Sequence, residues 1–111
     1  MANKNSELAA LARLPGSVPV KNSGRGIWKG DGVWGPFLVD VKEYAKSFSV
    51  SRKVWAKLST DSIQNHMKQP MLFLSLGDPE GKEQPVEVMV VGRQMGIEMK
   101  EAWEKVYGDS E

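Results

Sequence analysis

The chain has no cysteine and a single histidine, His66, among its 111 residues. Disulfides, a thiol nucleophile, cysteine-bound zinc and any metal motif needing two histidines are therefore excluded. A metal, if one is used, must be held by oxygen, which favours magnesium or manganese. No apolar run approaches the roughly 20 residues that a membrane-spanning helix needs. The first residues, Met1-Ala2-Asn3-Lys4-Asn5, lack the apolar stretch of a signal peptide. The expectation is a soluble, cytoplasmic protein without membrane association. Nucleotide fingerprints are missing as well. Residues 22–36 are rich in glycine, but no helix is expected to open after them and no Gly-Lys-Ser/Thr is present.

What is present is an ordinary globular composition, 41% hydrophobic and 26% charged. The length suits one core and one domain spanning 1–111. A net charge of +1 hides an asymmetry: residues 1–60 hold ten Lys/Arg against four acids, and residues 61–111 hold five against ten. A basic half is what a polyanion-binding surface requires, and the plainer reading is a solvated face whose charges cluster by accident.

Ser6 to Leu14 reads as a short helix, capped by Ser6 or Asn5, stopped by Pro15-Gly16, and burying Leu8, Leu11 and Ala12. Residues 17–20 read as a strand that Pro19 confines to an edge. In the glycine-rich stretch, Arg25 and Lys29 alternate with Trp28 and Trp34. Its glycines would let backbone approach phosphate, and its tryptophans would stack on bases or meet a second subunit; the bland reading is an irregular loop. A helix is expected from about Val50 to Met67, capped by Ser49 or Ser51, with Val54, Leu58 and Met67 near one face and Trp55 flanking. Met71–Leu76 and Pro85–Val91 read as a hairpin. A last helix, about Gln94–Tyr107, carries an apolar stripe of Met95, Met99, Ala102, Trp103 and Val106, suited to a core or a dimer contact. The order is α-β-β-β-α-β-β-α, an α/β fold in which helices flank a small mixed β-sheet.

The chemistry concentrates on Phe37-Leu38-Val39-Asp40-Val41-Lys42. Strand alternation sends Phe37, Val39 and Val41 to one face and Leu38, Asp40 and Lys42 to the other. Acidic-x-Lys also occurs at Glu80-Gly81-Lys82 and Glu98-Met99-Lys100. The first of these lies in a turn pattern, and the second in a helical one where residues two apart diverge. Only Asp40 has a strand, a shared face with its lysine, and an acid shortly upstream, Asp31. A turn through Gly32, Gly35 and Pro36 would fold Asp31 back beside Asp40. Two carboxylates and a lysine at a strand end suit a divalent cation and a phosphate. The dull reading is a surface ion pair between Asp40 and Lys42, worth under about 1 kcal/mol.

These residues resemble the PD-(D/E)XK nuclease superfamily, in particular the small Holliday-junction resolvase-like proteins of archaea and phages. The likeness covers residues 6 to 92: a glutamate on the first helix (Glu7), a Ser-Gly loop (Ser23-Gly24), a Gly-Asp pair (Gly30-Asp31), and Leu38-Val39-Asp40-Val41-Lys42. Lys46-Ser47-Phe48-Ser49 and the helix bearing Trp55 are similar to phage relatives. The chain departs from the pattern in carrying Asp40 where resolvases usually carry glutamate. It also lacks basic residues in quantity before Glu7.

The resemblance implies a restriction-endonuclease-like core and a Mg²⁺-dependent endonuclease, Mn²⁺ being the alternative cofactor. Asp31, Asp40 and the Val41 carbonyl would hold metal, Lys42 would neutralise charge at the reacting phosphate, and Glu7 would complete the metal shell. Ser23, Arg25, Lys29, Lys46 and Arg52 would contact nucleic acid. The implied substrate is branched DNA, and cutting it symmetrically needs two sites, hence a homodimer. The rivals are a nuclease with another substrate, or a non-catalytic phage module binding nucleic acid or protein with a degenerate motif.

Overall fold

The structure, a computed structural model, describes the backbone of residues 4–22, 27–77 and 82–108, and the side chains of 7–20, 31–77 and 82–108. Its elements are α1 (Lys4–Ala12), β1 (Val18–Asn22), β2 (Ile27–Trp34), β3 (Phe37–Tyr44), α2 (Arg52–His66), β4 (Gln69–Leu76), β5 (Val86–Val91) and α3 (Arg93–Tyr107). The order α-β-β-β-α-β-β-α and the mixed sheet are as expected. The five strands lie in chain order, β1 to β5, all antiparallel except the β3–β4 pair.

Parallel pairing of β3 and β4 requires a crossover, and α2 supplies it. Ser51 caps α2, its hydroxyl accepting from the Val54 N–H at 3.1 Å. The strands at the centre are buried on both faces, which is why Phe37–Val41 and Pro70–Leu74 are nearly continuous apolar runs. One face carries Phe37, Val39, Val41, Met71 and Phe73, covered by Ala10 and Leu11 of α1 and by Leu14 in the turn that follows it. The other carries Leu72 and Leu74, covered by Leu58 with Val54 and Trp55 of α2.

Several local expectations are corrected. Residues 27–34 are strand β2, where an irregular loop was one reading of the glycine-rich stretch. The stretch pairs because Gly32 faces α1 and needs no side chain. A Cβ there would lie 2.5 Å from a Leu11 methyl and 2.9 Å from the Val18 carbonyl oxygen. α1 begins at Lys4, ahead of the expected caps, and buries Ala10 and Leu11 while Ala12 is exposed; Leu14, just past its end, is buried with them. Met67 is no part of α2's apolar face. It ends the helix in the left-handed conformation (φ 54°) and is 89% exposed. Trp34 serves the fold: it packs beside the α1-side core, and its indole Nε1 donates to the Pro15 carbonyl at 2.8 Å. Pro19 sits on the edge strand, as its missing N–H demands, next to an irregularity in the β1–β2 register.

Candidate functional site

The β2–β3 hairpin turns at Gly35-Pro36, with Gly35 at φ 58°, so Trp34 pairs with Phe37. Counting back from that turn puts Val33 opposite Leu38, Gly32 opposite Val39, and Asp31 opposite Asp40. Directly opposed residues share a face, and their Cβ atoms lie about 4.5–5.5 Å apart. The two carboxylates therefore meet on the α2 side of the sheet. Gly32 holds a part different from the expected one, because the turn itself is made by Gly35 and Pro36.

Lys42 lies two residues beyond Asp40 on the same face, and its Nζ is 3.4 Å from Asp40 Oδ2. The expected ion pair forms, and it is more than a surface pair. Both side chains are at least two-thirds shielded. On the β4 side Asp40 is flanked by Leu72 and Lys42 by Leu74, both buried. The charged group is set into the border of an apolar layer.

That setting governs protonation. Asp31 is pushed from its ordinary 3.8 to about 7, first by burial, then by the Asp40 charge and a hydrogen bond with Asp40, with Asp61 adding a smaller repulsion and Lys42 opposing the shift. Below neutral pH Asp31 therefore keeps its proton. Glu7 is also raised, chiefly by burial, with Lys42 pulling it down and Asp40 and Glu43 pushing it up. For Lys42, burial disfavours the ammonium, but Asp40 and its hydrogen bond, with Glu7, outweigh this and hold the lysine protonated above its ordinary range.

Asp31, Asp40, Lys42 and Glu7 are thus brought into one electrostatic group. The side chain of Val41 points away into the α1-side core, leaving only its backbone on the site strand. Glu7 stands apart as a ligand: among the described residues, no group of three or more Asp, Glu, His or Cys side chains is placed to hold a metal together. Lys46 and Arg52 are exposed in the connection that leaves β3 at the Lys42 end, Arg52 opening α2. Ser23 and Arg25 lie outside the described residues, as does the side chain of Lys29, whose backbone belongs to β2.

Asp61 is the member that sequence reasoning missed. It lies on α2, within electrostatic range of Asp31, and its Oδ1 accepts from the Asn65 side chain at 2.6 Å. Its signal was available: it follows Leu58 by three residues and precedes Ser62, both buried against the sheet.

Two aspartates on neighbouring strands offer hard oxygen donors and too much negative charge for one site, a set that a small divalent cation would neutralise. Magnesium commonly takes one or two carboxylates and fills its remaining positions with water or substrate phosphate. The donor set fits that habit. Comparison of the chain with known protein families, with curated proteins and with solved structures finds no match.

Proposed function

We propose that the protein is a Mg²⁺-dependent endonuclease acting on DNA, with a restriction-endonuclease-like core and a preference for branched junctions. The observation that carries this reading is the opposed pair Asp31–Asp40 with Lys42 on the same face, 3.4 Å from Asp40. A solvated ion pair would not explain why a second carboxylate is held against the first and forced to retain a proton. An ion-and-phosphate site would, because strain of this kind is released when its ligand arrives.

In this reading Asp31 and Asp40 would hold the ion, with the Val41 carbonyl as a further candidate oxygen. A bound Mg²⁺ supplies a Lewis acid for the phosphodiester and lowers the pKa of a coordinated water. Lys42, kept charged by Asp40 and Glu7, offsets the negative charge that grows on the phosphate oxygens at the transition state. Glu7 would act through a water. Lys46, Arg52, Arg25, Lys29 and Ser23 would grip the backbone, giving affinity without sequence preference. A pair of such sites in a homodimer would allow symmetric nicks in a four-way junction.

The deciding experiment incubates the protein with a synthetic four-way junction and a linear duplex of the same sequence, with Mg²⁺, Mn²⁺ or a chelator. Metal-dependent nicking of the junction, lost in Asp40→Asn and Lys42→Ala, is expected. Equal cutting of both substrates would remove the junction preference. Salt-dependent binding with no cutting by folded protein would instead make it a binding module.

A further inference from the structure

We infer that the apolar face of α3, where it runs out past the core, is a contact surface for a second copy of this chain, the two α3 helices lying antiparallel across a twofold axis. α3 is anchored only at its start. Met95 packs against the α1-side core, and Gly96 lies close to Val91. None of its 15 residues is buried. Beyond the first turn Met99 is 47%, Trp103 65% and Val106 71% exposed. A helix of this length is marginal in water without an apolar face to pack, and an internal glycine weakens it further. The radius of gyration is 15.2 Å, against about 13 Å for a compact chain of this size.

The face has the spacing of a helix–helix seam. Met95, Met99, Ala102 and Val106 recur at steps of four, three and four, the a/d pattern of a coiled coil. The seam begins at the core and runs outward, so a second helix laid along it would extend that core.

Charge then selects both partner and direction. With the axis between Lys100 and Glu101, an antiparallel copy sets Met95 against the partner's Val106 and Met99 against the partner's Ala102. On one flank Glu98 falls beside the partner's Lys105, and by symmetry Lys105 beside the partner's Glu98. A parallel copy would set Glu98 beside tryptophan and leave both charges without opposites. The Lys100–Glu104 ion pair, 3.0 Å, lies on the opposite face and does not compete. Self-complementarity of this kind closes a C₂ dimer. The proposed nuclease would gain its second site this way, but the inference rests on the helix alone.

Sedimentation equilibrium on the full chain tests it without reference to cleavage. The native protein is expected to weigh twice its 12.3 kDa, and Val106→Glu to be monomeric with unchanged far-UV circular dichroism. Glu98→Lys or Lys105→Glu alone should raise the dissociation constant about tenfold, and the double reversal should restore it. Because the chain has no cysteine, single cysteines report direction. A mixture of Met99→Cys and Ala102→Cys should cross-link between the two variants in preference to either with itself. A monomer at about 100 µM, failure of the double reversal to rescue, or preferential Met99→Cys self-linking would each overturn the proposal.

Discussion

Asp31 and Asp40 stand directly opposite one another on adjacent strands, on the face that α2 covers. Carboxylates in this relationship repel unless a proton or a cation lies between them. Here burial and the Asp40 charge push Asp31 up to about 7, so it keeps its proton below that pH.

Stability should therefore fall as pH rises between about 4 and about 7, since the folded state holds a proton on Asp31 that the unfolded chain releases near 3.8. Above that window this group adds no further slope. Asp31→Asn should flatten the profile and make the protein more stable than wild type at pH 8. Urea denaturation at pH 4, 6 and 8 measures both. A wild-type profile that rises through the window would contradict the protonated pair.

Mg²⁺ binding should expel that proton. Calorimetric titration near pH 6 in two buffers of different ionisation enthalpy should show close to one proton released per protein, and chelation should reverse it. Asp31→Asn should release none. Saturating Mg²⁺ should also raise the unfolding midpoint at pH 8, by mass action on the folded state.

Removing Lys42 separates charge stabilisation from binding. Lys42→Met should lower the cleavage rate by about 10²-fold or more with little change in DNA affinity, as expected for a group that acts mainly on transition-state charge. Arg52→Ala should do the converse, weakening binding and its salt dependence at a nearly unchanged rate. Single-turnover cleavage and fluorescence anisotropy distinguish the two effects.

Asp61→Asn tests whether α2 tunes the pair. It removes one of the negative charges that raise Asp31, so the carboxyl titration of Asp31, followed by ¹³C NMR, should move to lower pH. No movement would place Asp61 outside the site.

Gly32→Ala should destabilise by about 1–3 kcal/mol through overpacking, because the new methyl meets Leu11 and the Val18 carbonyl. The loss should be read in the urea midpoint. Asp31 is the next residue, so metal affinity should fall with it.

The face shared by Asp40 and Lys42, the Ser51 cap, the edge position of Pro19 and the order of elements were all legible in the chain itself. Each depends on periods and caps that act within a few residues, and local sequence carries them. Tertiary structure decided the rest. The two-residue turn at Gly35-Pro36 set the register that opposes Asp31 to Asp40, where one residue of slip would have sent Asp31 to the other face. The crossover through α2 brought in Asp61, thirty positions from Asp31 in sequence. It also buried the pair beside Leu72, and the protonation of Asp31 follows from that burial, which no stretch of sequence contains because it is made by strands and a helix distant along the chain.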